Sequence, residues 1–204
     1  MASSRSRTVD VTPELIDRTL DCYFQQVRYL SDARVEYSID DQPIATEIGD
    51  CHAIARGNFV GQPAWYIRDT GHFNAIEFNI CYNQIVYVLL AQCVESGAVG
   101  ALCRHMAKEE FLSRMLPDIV IHRYAVVFER PMSSARFRAS VGISRVIDKM
   151  GRLFLETQCR VALPDGPWCS RGDIKLAVVR TGATATVVQD APPVALPQSE
   201  QIAS

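Results

Sequence analysis

Residues 76–95 constrain the fold more than any other part of this chain, because they are apolar around nearly the whole circumference of a helix. The stretch is too long for an ordinary strand, and Gly97 follows it at a position typical of a helix end. Three polar amides interrupt its most apolar part, residues 80–94, which is also too short to span a bilayer. A helix that is apolar on all sides must be enclosed by other elements. The sequence therefore predicts a buried central helix.

The flanking sequence predicts one further long helix and a set of strands. Thr12 and Pro13 form a helix start, with Thr as the N-cap, and we expect this helix to end near Leu30. Alternating or turn-bounded apolar runs predict strands over residues 33–39, 52–59, 119–129, 136–147, 153–163 and 173–180, and a short amphipathic helix over 107–116. Four consecutive long strands with short links favour an antiparallel meander or near-meander.

One long buried helix followed by a curved antiparallel sheet describes the hot-dog fold, an α+β architecture in which the sheet wraps the helix. A helix lying open on a flat sheet is the alternative, and the all-round apolarity of the helix favours wrapping. We expect this domain to cover residues 12–181. A flexible arm over residues 1–11 would precede it, and a disordered tail over 182–204, poor in large apolar residues, would follow it.

Composition excludes several classes of protein. The 204 residues, 48% hydrophobic and 22% charged, are ordinary for a globular domain, and a net charge of −2 without a basic run argues against nucleic-acid binding. Seven cysteines form an odd number without a CxxC pair, and the N-terminus lacks the apolar run of a signal peptide. We therefore expect a cytoplasmic protein with reduced thiols. The four histidines lie far apart without metal-ligand spacing, so we expect neither a metal nor another cofactor.

A polar, glycine-containing segment, residues 66–77 (YIRDTGHFNAIE), leads directly into the central helix. Polar groups beside a buried helix must find partners or lose about 1–3 kcal/mol of hydration each. A helix N-terminus also presents unpaired backbone N–H groups, which suit an oxyanion or a carboxylate. We therefore predict that this segment is the active site.

Three residues of the segment are candidates for catalysis. Histidine side chains titrate near neutral pH, so His72 can act as a general base; otherwise it holds a loop carbonyl in place. Asn74, together with backbone N–H groups of residues 74–77, can stabilise an oxyanion, and it can equally be the helix N-cap. Glu77 lies in the first helical turn, where it can supply a carboxylate or simply interact with the helix dipole.

Other polar residues are candidates for substrate binding. Arg68 and Thr70 can hold a carboxylate, although Asp69 can instead pair with Arg68 or orient His72. Tyr66 can donate its hydroxyl to a substrate or pack over the helix. A polar stripe at i, i+4 and i+8 can line an acyl channel or bond to the sheet, and its members are Asn79, Asn83 and Tyr87.

The segment 66–77, continued by residues 81–84, resembles the FcoT-like thioesterase family, with supporting matches at residues 28–30, 57–59 and Phe137. The resemblance covers about residues 13–180. It implies a hot-dog enzyme that acts on acyl thioesters of CoA or acyl carrier protein. Some members are long-chain acyl-CoA thioesterases, and relatives in actinobacterial secondary-metabolite pathways add glycine to C3 of an (E)-2-enoyl thioester. The pocket residues that the resemblance implies are Tyr23, Tyr66, Asn74 and Asn83.

The leading expectation is therefore an enzyme that adds glycine to an enoyl thioester, because residues 66–77 contain candidates for the base, the carboxylate receptor and the oxyanion donor. A thioesterase that uses water in the same pocket is the alternative. A non-catalytic module that docks acyl carrier protein is the alternative from another class. We expect a homodimer or higher oligomer that binds neither nucleic acid nor membrane.

Overall fold

The computed structural model of the protein describes residues 5–61, 72–149 and 151–179. Within these residues the helices are α1 (Pro13–Leu20), α2 (Ala75–Ser96), α3 (Gly100–His105) and α4 (Phe111–Asp118). The strands are β1 (Ser6–Asp10), β2 (Leu30–Ser38), β3 (Ile44–Thr46), β4 (Gly49–Cys51), β5 (Ala53–Val60), β6 (Ile119–Phe128), β7 (Arg136–Lys149), β8 (Arg152–Ala162) and β9 (Trp168–Val178). A single 3-10 turn, Gln25–Val27, lies between α1 and β2.

Seven of the described strands form one antiparallel sheet in the order β1-β2-β5-β7-β8-β9-β6. Strands β7, β8 and β9 are consecutive hairpins, and β6 lies at the far edge beside β9. The predicted near-meander is confirmed. Helix α2 follows β5 in the middle of the sheet, and α3 and α4 then carry the chain to the edge where β6 begins.

The sheet wraps around α2, because the helix contacts strands that lie far apart in the sheet order. The side chain of Gln84 accepts a hydrogen bond from the first residue of β2. The hydroxyl of Tyr82 lies 2.7 Å from Oγ1 of Thr157 in β8. The ring of Phe78 packs edge-on against Phe128 of β6, with centroids 6.0 Å apart. The predicted α+β hot-dog architecture is therefore confirmed, and the open flat-sheet alternative is not what the chain forms.

The N-terminal region differs from the sequence prediction. Residues Ser6–Asp10, which the sequence placed in a flexible arm, form β1 and pair with β2 from Ser6 opposite Ser38 to Asp10 opposite Arg34. Most of β1 is exposed, so it carries little hydrophobic pattern. The strand forms because β2 offers it an open edge, and an ion pair of 2.6 Å joins Asp10 to Arg34. The expectation of a flexible arm is corrected for these residues.

The predicted N-terminal helix is also shorter than expected, since α1 ends at Leu20 rather than near Leu30. Arg28 folds back over the segment that follows α1: its guanidinium donates to the backbone oxygen of Tyr23 at 2.9 Å and pairs with Asp21 at 3.1 Å. These contacts hold a turn where the apolar spacing alone would continue a helix.

Helix α3 was not predicted, and α4 begins four residues later than the helix expected over 107–116. Helix α3 is only six residues long and begins after Val99, which has a φ of 56° and makes no side-chain cap. It therefore lacks the usual start signals in the sequence. None of the helices in the described part of the chain combines the length and apolarity needed to cross a bilayer. The predicted tail, residues 182–204, lies outside the described residues.

Candidate active site

The N-terminus of α2 is closed by a reciprocal capping box between Asn74 and Glu77. The side-chain oxygen of Asn74 accepts from the backbone N–H of Ile76 at 2.8 Å and from that of the third helical residue, Glu77. The carboxylate of Glu77 in turn accepts from the backbone N–H of Asn74 at 2.7 Å. Asn74 is therefore the N-cap of the buried helix, as one of the two interpretations from the sequence required.

This capping limits what the helix N-terminus can offer to a substrate. The backbone N–H groups of Asn74, Ile76 and Glu77 are used within the capping box, and no described group accepts the N–H of Ala75. Of the backbone donors that the sequence suggested for an oxyanion, only the N–H of Ala75 has no acceptor among the described residues, and the oxyanion role itself stays a prediction. Glu77 is 6% exposed and is bonded to the cap, so its position is explained by the capping box.

A cavity of about 380 Å³ lies directly at the start of α2. It has two walls. The first is formed by the residues that lead into the helix, His72, Phe73, Asn74 and Ala75. The second is formed by the last residue of β6 and the three that follow it, Phe128, Glu129, Arg130 and Pro131. Its volume falls within the range of about 300–1,000 Å³ that is typical of small-molecule sites. Two of the predicted catalytic residues, His72 and Asn74, therefore share one cavity, and Glu77 is not among its lining residues.

Backbone hydrogen bonds hold the two walls together. The N–H of Phe73 donates to the carbonyl of Met132 at 2.8 Å, which joins the helix entry to the loop after β6. The N–H of Arg130 donates to the carbonyl of Cys169 in β9 at 3.1 Å. The ring of Phe73, which lines the cavity, packs edge-on against Phe137, with ring centroids 4.9 Å apart. Backbone hydrogen bonds and aromatic packing thus hold the residues around the cavity in place.

The two charged residues that line the second wall of the cavity, Glu129 and Arg130, differ in whether another described side chain pairs with them. The carboxylate of Glu129 pairs with the guanidinium of Arg171 at 3.1 Å. Arg130, the next residue, makes no ion pair or side-chain hydrogen bond with any residue in the described part of the chain. The sequence analysis ended a predicted strand at residue 129 and gave Arg130 no functional role, and it missed that this residue shares a cavity with His72, 58 residues earlier. No local signal indicates that proximity.

Two residues predicted to bind substrate, Asn83 in α2 and Tyr23 after α1, are not among the lining residues of this cavity. Asn83 is nine residues after Asn74, which is about 13 Å along a helix axis. Its side chain donates to Asn79 at 3.4 Å; these two members of the predicted polar stripe are half-buried, and the third, Tyr87, is buried. Tyr23 packs half-buried against the core that contains α2, and burial raises the pKa of its phenol, with a further increase from nearby Tyr87. Tyr23 is therefore a neutral hydrogen-bond donor at physiological pH.

The remaining predicted substrate-binding residues, Tyr66, Arg68 and Thr70, lie outside the described residues, as does Asp69. Their roles stay predictions. Among the residues that the structure does describe, no group of three or more His, Cys, Asp and Glu side chains is arranged to hold a metal ion.

The fold defines a hot-dog protein with a cavity of about 380 Å³ at the start of its central helix. The model of the FcoT-like thioesterase domain matches residues 18–178 of this chain. The chain therefore belongs to the FcoT-like thioesterase family.

Several curated proteins are similar to this chain over most of its length. A (2E)-enoyl-[ACP] glycyltransferase from Mycobacterium marinum is 31% identical over 177 residues, which cover 84% of this chain and 89% of the relative. A protein of the same name from Streptomyces coeruleorubidus is 37% identical over 123 residues, or 60% of this chain and 67% of the relative. The one from Mycobacterium tuberculosis H37Rv is 30% identical over 178 residues, or 85% and 90%.

Proposed function

We propose that this protein adds glycine to C3 of an (E)-2-enoyl group held as a thioester, with acyl carrier protein or CoA as the carrier, in the biosynthesis of a β-amino-acid-containing secondary metabolite. The observation that carries the proposal is the cavity at the N-terminus of α2, whose lining includes His72, Ala75 and Arg130. Within the described residues, no acidic side chain pairs with this arginine and no group accepts the N–H of Ala75. The similarity to (2E)-enoyl-[ACP] glycyltransferases over 84% of the chain supports it.

The proposed reaction is a conjugate addition. His72 accepts a proton from the ammonium group of glycine, and the freed lone pair on nitrogen attacks C3 of the enoyl thioester. The electrons of the C2–C3 double bond move onto the thioester oxygen, where the N–H of Ala75 stabilises the enolate. A proton then returns to C2, and the product is the N-carboxymethyl-β-amino acyl thioester. All atoms of both substrates are retained.

Hydrolysis is the second candidate, because the family is described as thioesterase-like. In that reaction His72 would activate water, which would attack the thioester carbonyl and release the carrier thiol. Hydrolysis needs no receptor for a second carboxylate, so it leaves the cation of the cavity unused.

The test is mass spectrometry of the purified protein incubated with a medium-chain (E)-2-enoyl thioester, with and without glycine. A product heavier by one glycine, formed only when glycine is present, is expected. Free acid that forms equally in both reactions would instead make the protein a thioesterase. If neither product forms with the carrier-protein or the CoA thioester, the non-catalytic docking module becomes the better account.

We further propose that two copies of the chain pair along β6. This strand is hydrogen-bonded to β9 on one side, and no described strand pairs with its other edge. Its large apolar side chains are exposed in the single chain at Val120, Ile121, Tyr124, Val127 and Phe128. An open, apolar edge of this length is a template for pairing with another strand. The partner would then lie beside the cavity, whose second wall continues from β6.

Val127→Lys tests this pairing by placing a charge on the exposed edge strand. We expect the wild-type protein to be dimeric by size-exclusion chromatography with light scattering, and the variant to dissociate at concentrations at least tenfold higher. Phe24→Lys is the matched control, since Phe24 is 79% exposed and lies outside β6. A wild-type protein that stays monomeric at all concentrations would refute the proposal.

A further inference from the structure

We propose that Arg130 is the residue that binds the carboxylate of glycine. This inference rests on the proposed glycine addition and adds a carboxylate receptor that lines the same cavity as His72. The sequence alone pointed to Arg68 and Thr70 for this role, and both lie outside the described residues.

The charge of Arg130 suits it to bind a carboxylate. Arg130 lines the cavity and is not engaged by any acidic side chain in the described ranges. The nearest carboxylate in sequence, that of Glu129, is already paired with Arg171 at 3.1 Å. An incoming carboxylate therefore meets a guanidinium whose charge is not already neutralised by a neighbour. The planar fork of arginine also matches a carboxylate with two parallel hydrogen bonds.

Hydrogen bonds fix the position of the Arg130 backbone. Its N–H donates to Cys169 in β9, and two residues later Met132 accepts from Phe73 at the helix entry. Met132 is itself buried. The start of the arginine side chain is thus held relative to α2, so binding a ligand orders only the side chain.

The small size of glycine limits where the receptor for its carboxylate can lie. One carbon separates its amine from its carboxylate, so the base and the carboxylate receptor must lie within one small compartment. His72 and Arg130 satisfy this condition because both line a single cavity of about 380 Å³. A phosphate of the carrier arm would lie a full pantetheine length from the reacting carbon. An arginine in the same compartment as the base is therefore better placed for the carboxylate.

The test is steady-state kinetics of Arg130→Gln and Arg130→Lys with the enoyl thioester saturating and glycine varied. We expect Arg130→Gln to raise the KM for glycine about 10- to 100-fold, the size of a lost charge-assisted hydrogen-bond pair. The KM for the enoyl thioester should change less than twofold, and Arg130→Lys should restore part of the glycine affinity. Arg145→Gln is the matched control, an exposed arginine outside the cavity, and its kinetics should match wild type.

Glycinamide, which lacks the carboxylate, allows a second measurement, the preference of the enzyme for glycine over glycinamide. A purely structural role of Arg130 would leave this preference unchanged. The wild-type enzyme should prefer glycine over glycinamide, and Arg130→Gln should lose most of that preference. The inference is overturned if Arg130→Gln leaves the KM for glycine within twofold of wild type. It is also overturned if the KM for the thioester rises instead, since Arg130 would then bind the carrier. Failure of the proposed function would look different, because the wild-type protein itself would then form no glycine adduct.

Discussion

Replacing His72 with glutamine is expected to lower the kcat of glycine addition about 10²–10⁴-fold at pH 7, the usual contribution of a general base. Glutamine keeps hydrogen-bonding capacity but cannot accept the proton of the glycine ammonium group. Glycine loses that proton unaided at high pH. The ratio of the wild-type rate to the His72→Gln rate should therefore fall steadily as the pH rises from 7 towards 9. The measurement is the initial rate of adduct formation across this range, with both substrates saturating.

His52→Gln is the control for this experiment, because His52 lies between β4 and β5 and does not line the cavity. Its pH profile should follow that of the wild-type enzyme. If His72→Gln keeps the wild-type rate at pH 7, glycine binds as the free amine and His72 is not its base. If the ratio of the wild-type rate to the His72→Gln rate stays constant from pH 7 to 9, His72 contributes to binding rather than to proton transfer.

The second large effect is expected on stability, from replacing Gln84 with leucine. Gln84 is fully buried in α2 and joins the helix to the start of β2. Its side-chain oxygen accepts from the backbone N–H groups of Tyr29 and Leu30, each at 3.0 Å. Its amide nitrogen donates to the carbonyl of Val27. Each buried group left without a partner costs about 1–3 kcal/mol, so the free energy of unfolding should fall by about 3 kcal/mol or more.

Equilibrium unfolding in urea measures this loss, with Gln92→Leu as the matched substitution. Gln92 lies in the same helix, but it is half-buried, and we expect its replacement to change stability by less than about 0.5 kcal/mol. Equal midpoints for Gln84→Leu and the wild-type protein would show that Gln84 does not fasten β2 to the helix. His72→Gln should unfold at the wild-type midpoint, which separates the loss of chemistry from the loss of structure.

The sequence by itself determined the elements whose signals are local. The uniform apolarity before Gly97 predicted α2 to within a residue or two of its observed ends, and Gly97 closes it with a φ of 70°. Asn74 was identified as a possible N-cap because capping depends on residues three positions apart. The strands from β6 to β9 were predicted in their order, since alternation and turn residues are read within a few positions.

Only the tertiary structure decided which hydrogen-bonding and charged groups already have partners within the described residues and which do not. Strand β1 depends on an edge of β2 some 30 residues away, so its own sequence carries little signal. The capping box uses backbone donors that the sequence suggested for an oxyanion, and leaves that of Ala75. Arg130 reaches the cavity of His72 only because the sheet wraps α2 and brings the end of β6 to the start of that helix. Periodicity reports the face on which a side chain lies, whereas its partners depend on segments far away in the chain.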